Sequence, residues 1–334
     1  MPPAPQRIVF HATGGEYFRI WIVNLLLTIV TLGIYSAWAK VRRNQYFYSS
    51  TELAGASFEY HGNPLAILKG RIIALMVFSA YSTAARFSPI AGGFMGLLLL
   101  AVGPWFIWKS LQFRLHNTSY RGIRFRFDGS LGGAYQRFLL YPLLNLFTLM
   151  LGTPLVHRSI KQYQHGQARF GQAQFGFDAS IGGFYRLYGI GLLLLLAGLV
   201  PMMYLIVTET QAGHAGTVWL IALALYAWLF MVTPLAMAMS QQLIWNHTSL
   251  EQHRLRCSLR WGRLAFIMLT NYLAILCTLG LFIPFAKVRM LRYRLESMEL
   301  LALGSLDEFV AASAPAVGAA GEGLADVMDF DLSI

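Results

Sequence analysis

The feature that most constrains this chain is an apolar segment, residues 20–43, that is interrupted once and then ends in cations. It carries a single amide, Asn24, and the apolar run is broken at Thr31-Leu-Gly33 before a basic stretch at 40–43. Inside a bilayer, the backbone groups freed at such a break must be satisfied by protein or water, because lipid offers no hydrogen bonds. The break therefore predicts a turn, with nearby amide and hydroxyl groups as its hydrogen-bonding partners.

Two further segments have the same arrangement, one near the far end of the chain and one in the middle. The interval from amide to glycine is nine residues in the outer segments and seven in the middle one. Three occurrences of so unusual a pattern predict an internal repeat, with a period of about 120 residues. The shared polar positions are Asn24, Thr28, Thr31 and Gly33 in the first segment, Asn145, Thr148 and Gly152 in the second, and Asn271, Thr278 and Gly280 in the third.

Composition predicts that these segments lie in a membrane. Of the 334 residues, 56% are hydrophobic and only 12% are charged, and the mean hydropathy is +0.52. Most of the apolar stretches reach the roughly 20 residues that a helix needs to cross the hydrocarbon. They lack the alternating pattern of a membrane β-barrel, so we expect helices. The seven stretches are 20–39, 72–85, 90–108, 138–156, 187–208, 215–244 and 264–286.

Short polar stretches between the apolar ones have the period-two alternation of half-buried strands. Ile123, Phe125 and Phe127 alternate with charged residues, and related patterns lie at 8–10, 51–62, 175–177 and 255–259. We therefore predict an α-helical polytopic membrane protein with short cytoplasmic β modules and with broken or re-entrant apolar segments. Its two same-orientation repeats and partial third repeat are 1–119, 120–248 and 249–300, followed by a flexible acidic tail at 301–334.

The distribution of Lys and Arg favours one topology over another. If all seven apolar stretches cross, the two sides receive 11 and 15 of the 26 cations, which is no bias. If only 72–85, 90–108, 187–208 and 215–244 cross, 25 of the 26 share one side, as the positive-inside rule expects of the cytoplasm. Both termini are then cytoplasmic. Seven crossings stay open, because 20–39 is long enough to cross outright.

One block has a family resemblance. Gly14-Gly15-Glu-Tyr17, Thr31-Leu-Gly33-Ile-Tyr35 and Trp38-Ala-Lys40-Val-Arg42, with their later counterparts, resemble the YjgN family of bacterial inner-membrane proteins, a domain of unknown function. The resemblance implies multi-pass residence in the bacterial inner membrane. It brings no established activity and no catalytic residues.

Three functions compete. The first is a channel- or transporter-like conduit for a small solute or ion, lined by the amides of the broken segments; intramembrane Asn and Thr also simply join helices. The second is a non-enzymatic membrane scaffold or receptor that uses the β modules and the acidic tail. The third, an enzyme acting on lipid, would need a constellation around His61, Asp128 and Asp178, positions that are more often turn caps.

Partners follow from charge. We expect anionic lipid headgroups to meet the cations after the outer segments. The tail is either solvated or docks on the basic body or on a cytoplasmic partner, and segment 264–286 needs cover from a second copy or from the same chain. Nothing indicates nucleic acid, and the scattered Cys and His predict no metal or cofactor. The cations are Lys40, Arg42, Arg43, Lys287, Arg289, Arg292 and Arg294.

Overall fold

The computed structural model describes residues 4–302, which form ten strands, eleven α-helices and one π-helical turn at Gln136–Leu140. The predicted tail lies almost wholly outside these residues. The strands are β1 Ala4–Phe10, β2 Thr51–Leu53, β3 Ala56–Tyr60, β4 Thr118–Tyr120, β5 Ile123–Phe127, β6 Ala168–Phe170, β7 Ala173–Phe177, β8 Thr248–Leu250, β9 His253–Cys257 and β10 Met298–Ala302. The helices are α1 Gly14–Val30, α2 Ser36–Ser49, α3 Pro64–Phe87, α4 Pro89–His116, α5 Leu131–Tyr135, α6 Tyr141–Phe147, α7 Thr153–Gly166, α8 Ile181–Gln211, α9 Ala215–Trp245, α10 Trp261–Cys277 and α11 Ile283–Glu296.

All ten strands belong to one closed antiparallel barrel. Each strand pairs with its neighbours in sequence, and β1 closes the ring by pairing with β10, with Arg7 opposite Glu299. The predicted fold class, a helical membrane protein carrying separate β modules in two and a half repeats, is therefore wrong. The prediction failed because the closing strands lie at opposite ends of the chain, and because three-residue strands such as β2 are too short to show a period of two. The division of the chain at 119, 248 and 300 stays a prediction.

Tight turns join the strands at one end of the barrel. Ala54 and Gly55 both have positive φ, 48° and 78°, as do Arg121 and Gly122, at 51° and 76°. Positive φ at both central residues is the type I′ geometry, whose twist matches that of paired strands. Glycine occupies the second position because it adopts this conformation without a steric penalty.

Five helix pairs leave the barrel at the opposite end. Because neighbouring strands are antiparallel, every odd-numbered strand ends where every even-numbered strand begins, and a helix pair fills each such connection. At the base of each pair, the N–H after the odd strand donates to the carbonyl before the even strand. These donor and acceptor residues are His11 and Ser50, His61 and Asn117, Asp128 and Gln167, Asp178 and His247, and Ser258 and Ser297, at 2.8–3.1 Å.

Along the chain the helix pairs are alternately short and long, and they form a ring in which the first and last short pairs meet, with α11 packing against α1. The second and fourth pairs, α3–α4 and α8–α9, contain the four helices that are long and apolar enough to cross a membrane. They have 24, 28, 31 and 31 residues, and little of their apolar surface is buried in the protein. These are the four helices for which the cation count favoured crossing.

Aromatic side chains fill the barrel near its turns. Phe58 and Tyr120 have ring centroids 4.9 Å apart, and those of Phe125 and Phe170 are 5.0 Å apart. Residues of β2 through β8 contribute to this single cluster. The barrel is therefore a packed core that supports the helices.

Candidate functional site

The three short helix pairs have exposed apolar tips, and the predicted polar positions lie next to them. We call these pairs hairpins 1, 2 and 3: α1–α2, α5 to α7, and α10–α11. Leu32, Leu149 and Leu279 stand at the three tips and are 94%, 86% and 95% exposed. Leucine this exposed at the end of an apolar helix indicates contact with something other than water.

The tips reverse the chain without leaving their N–H groups unpaired. Gly33 donates to the Thr28 carbonyl at 2.8 Å, and Gly280 donates to the Ile275 carbonyl at 2.9 Å. All six successive N–H groups of each tip, at 31–36, 148–153 and 278–283, donate to oxygens of the same hairpin. A turn with every donor satisfied internally meets the requirement that a bilayer sets for its backbone.

The threonines explain why the motif needs a hydroxyl. The Thr31 hydroxyl donates to the Leu27 carbonyl at 2.7 Å and accepts the Tyr35 N–H at 2.9 Å. Thr278 does the same for the Phe282 N–H at 3.0 Å, and Thr148 does it for the Gly152 N–H at 3.2 Å. The hydroxyl therefore replaces the helix carbonyl that the turn has removed.

The three amides are buried, and two of them, Asn145 and Asn271, form hydrogen bonds within their own hairpins. Asn271 donates to the Ala286 carbonyl at 3.1 Å and accepts from Arg289 at 2.8 Å. Asn145 donates to the Thr153 hydroxyl at 2.9 Å and accepts from the Thr148 hydroxyl at 3.0 Å. The side-chain oxygen of Asn24 is buried without a hydrogen-bond partner among the described residues. These bonds join the two arms of hairpins 2 and 3.

The predicted headgroup cations lie on α2 and α11, between the apolar tips and the barrel. Arg292 donates to the Ala12 carbonyl at 2.7 Å, and Arg289 reaches Thr270 as well as Asn271. Arg42 is exposed, whereas Lys40, Arg43, Lys287 and Arg294 are partly buried. Arg289 therefore also joins the two helices of hairpin 3, and Arg292 joins this hairpin to the residue after β1. The headgroup role of the set stays a prediction.

The residues considered for enzyme chemistry lie at the junction of barrel and helices. Asp128 forms ion pairs with Arg126 at 2.6 Å and Arg169 at 2.7 Å, and the His61 ring bonds the Ser119 hydroxyl at 2.7 Å. Cys257 is buried in β9, and burial raises the pKa of its thiol.

A tyrosine brace at the base of each short hairpin was missed by sequence reasoning. Tyr46, Tyr163 and Tyr293 each donate to the carbonyl of the residue that precedes the first helix, at 3.3, 2.7 and 3.0 Å. The separation is 33 residues in every case. That constant interval is the signal that could have found the brace.

Hairpin 2 also has a pocket that sequence reasoning missed. A cavity of about 500 Å³ lies between this hairpin and helices α4 and α8, and Phe138, Asn145, His157 and Tyr188 are among its lining residues. The Tyr188 hydroxyl and His157 Nδ1 are 3.2 Å apart. One turn nearer the barrel, burial lowers the pKa of the Lys161 ammonium, and the Arg114 guanidinium lowers it further.

Comparison with known proteins identifies a family and relatives that are named as inner-membrane proteins. A family model described as "Bacterial protein of unknown function (DUF898)" matches residues 5–327. Proteins named "Inner membrane protein YjgN" are 34% identical over 139 residues in Escherichia coli O157:H7, 35% over 139 in strain K12, and 35% over 150 in Salmonella typhimurium. The matches cover 41–43% of this chain and 34–37% of the relatives, about a third of their length. No solved structure matches.

Proposed function

Because the chain belongs to the bacterial DUF898 family of unknown function, we propose that it is a multi-pass inner-membrane protein acting as a non-enzymatic scaffold. The resemblance to the YjgN family is confirmed. In this proposal the four long helices cross the bilayer, the three short hairpins enter it without crossing, and the barrel lies at the cytoplasmic face. The charged outer surface of the barrel and the acidic tail are then the docking surfaces for a cytoplasmic partner.

One observation carries this proposal: all five helix pairs leave the barrel at the same end. A barrel joined to membrane helices at one end only lies on one side of the bilayer. The long pairs supply helices of 24–31 residues, enough to cross, whereas α1 and α10 have 17 residues and end in self-satisfied apolar tips. Short hairpins of this kind fit an entry into the bilayer that turns back inside it.

The charges support the barrel being on the cytoplasmic side. With four crossings, Arg86 alone among the 26 cations faces the other side. The loop between α8 and α9, which we call the far loop, lies on that other side and contains no Lys or Arg. Its His214 pairs at 2.9 Å with Glu209 in the last turn of α8. This asymmetry is the one that the positive-inside rule expects.

The scaffold has more support than the conduit. Aromatic side chains occupy the barrel, and the amides of Asn145 and Asn271 are engaged inside their own hairpins. The conduit stays a prediction. Its test is solute flux into liposomes by the native protein and by the variant with Asn24, Asn145 and Asn271 all replaced by alanine; equal flux would argue against a conduit lined by these amides.

The topology is tested by single cysteines in a background with Cys257→Ala and Cys277→Ser. His214→Cys, in the far loop, should react with an impermeant maleimide applied to the periplasmic side of intact spheroplasts. Gln172→Cys, at an exposed barrel turn, should react only after the membrane is permeabilised. Labelling of Gln172→Cys from the periplasm would refute the proposed orientation. The scaffold itself predicts that a truncation at residue 303 loses a co-purifying partner.

A further inference from the structure

The pocket beside hairpin 2 lies at the depth of the apolar helix surfaces. Leu100 of α4, Leu143 of α6 and Val156 of α7 line it together with the residues named above. Its volume of about 500 Å³ falls in the range of roughly 300–1,000 Å³ typical of small-molecule sites. Helices α4 and α8, which form its outer walls, are two of the four that are long and apolar enough to cross a membrane. The medium outside the pocket is then lipid.

Next to this pocket, the helical structure of hairpin 2 differs from that of hairpins 1 and 3. Its first arm contains the π-helical turn Gln136–Leu140, whereas α1 and α10 are continuous α-helices. Two residues of the turn, Phe138 and Leu139, line the pocket. Single π-helical turns inside α-helices occur frequently at functional sites. The widened turn therefore coincides with the cavity and not with the shared tip motif.

Cations and polar groups lie at the barrel side of the pocket. His157 lines the pocket, and Lys161 follows one turn later on the same face of α7. Lys161 is only partly exposed, and the charged group that acts on it is Arg114, a second cation. Arg137 lies on the π-helical turn, where its guanidinium is 5.0 Å from the centre of the Tyr163 ring. A largely buried ammonium beside an apolar cavity favours an anion next to it.

We infer that the pocket holds one acyl chain of an anionic phospholipid, with the lipid phosphate at Lys161. The apolar walls match the chain, and the Lys161 ammonium one turn nearer the barrel matches the phosphate. The inference rests on the proposed membrane location, since only then does the pocket open into lipid. A bound lipid would give hairpin 2 a role that hairpins 1 and 3 do not share.

The direct test uses the native full-length protein in vesicles of phosphatidylglycerol carrying a diazirine in one acyl chain. After photolysis, peptide mass spectrometry should find crosslinks concentrated at 138–160, several-fold above the matching parts of hairpins 1 and 3. Crosslinks spread evenly over the three hairpins would show only surrounding lipid and would overturn the pocket. An absence of crosslinks on every helix would instead count against the membrane location.

Variants separate the chain site from the phosphate site. Leu143→Trp should fill the pocket and reduce crosslinking at 138–160 several-fold, whereas Leu269→Trp, at the matching place two residues before Asn271, should leave it unchanged. Lys161→Gln should reduce the preference for phosphatidylglycerol over phosphatidylcholine, and Lys161→Arg should restore it. Unchanged lipid preference in Lys161→Gln would show that the phosphate does not bind at Lys161. This result holds even if Leu143→Trp fails to fold.

Discussion

The tips of the short hairpins and the far loop of the long pair α8–α9 both reverse the chain, but the tips expose leucine and the far loop exposes polar residues. In the far loop, Gly213 takes positive φ, 78°, and Glu209 pairs with His214 at 2.9 Å. In hairpins 1 and 3 a leucine takes positive φ as well as the glycine that follows it, with 51° at Leu32 and 49° at Leu279, and a threonine hydroxyl accepts an N–H across each turn. Leucine is strained in that conformation by about 1–2 kcal/mol. Apolar contact with lipid can offset such strain.

The difference teaches how a chain can turn back inside a bilayer. A loop in water can leave donors to the solvent, although in the far loop the N–H groups of residues 212–215 also donate to protein oxygens. A turn in hydrocarbon must bond every donor to the protein, because each unsatisfied group costs several kcal/mol there. The predictions below test whether the tips do lie in hydrocarbon.

The largest expected effect is on the reactivity of a native thiol. Cys277 is exposed and directly precedes the tip threonine of hairpin 3. With Cys257 replaced by alanine, an impermeant maleimide should fail to label Cys277 from either side of intact vesicles and should label it fully once SDS dissolves the membrane. Labelling from either side before SDS is added would place this tip in water and end the comparison.

A charge at a tip should be the next largest effect. Leu279→Asp places a carboxylate where the proposal puts hydrocarbon, at a cost of about 3 kcal/mol on the insertion scale. The amount of protein recovered in carbonate-washed membranes should fall several-fold. The matched control is His214→Asp in the far loop, which should leave that amount unchanged; equal losses in both variants would remove the distinction between the two kinds of turn.

Removing a tip hydroxyl should have a moderate effect. Thr278→Val keeps the shape but leaves the Phe282 N–H without its acceptor, which costs about 2 kcal/mol. Thr208→Val in α8 is the control, because that hydroxyl only donates to helix carbonyls. The free energy of unfolding in bicelles, measured by steric trapping, should fall for Thr278→Val and hardly change for Thr208→Val. A similar loss of stability in both variants would mean that the hydrogen bond across the tip contributes little to stability.

The smallest effect should distinguish two amides. Asn24→Leu removes an oxygen that has no hydrogen-bond partner among residues 4–302 and should change the free energy of unfolding by less than about 1 kcal/mol. Asn271→Leu strands a donor of Arg289 and should destabilise by about 2 kcal/mol. Chemical unfolding of both variants in the same detergent measures the difference. The reverse order would show that hairpin 1 depends on its amide for a contact that the described residues do not provide.

Sequence reasoning found the turns of the three broken segments but not the barrel, and a site at these polar positions stays a prediction. The amide, threonine and glycine positions all fall at or beside the tips, since a short turn is encoded by residues within ten positions of one another. The Tyr46 brace and the pocket of hairpin 2 were missed. Each depends on residues from separate elements, as where Tyr188 of α8 meets His157 of α7. Local patterns carry no record of such contacts.

The sequence by itself determined which stretches are apolar, where the three broken segments turn, and on which side of them the cations lie. Hydropathy and turn chemistry are properties of contiguous residues, so they can be read along the chain. Only the tertiary structure decided that the short strands form one closed barrel, because its closure pairs Ala4 with Ala302 across the whole described chain. That pairing is what directs all five helix pairs to one end.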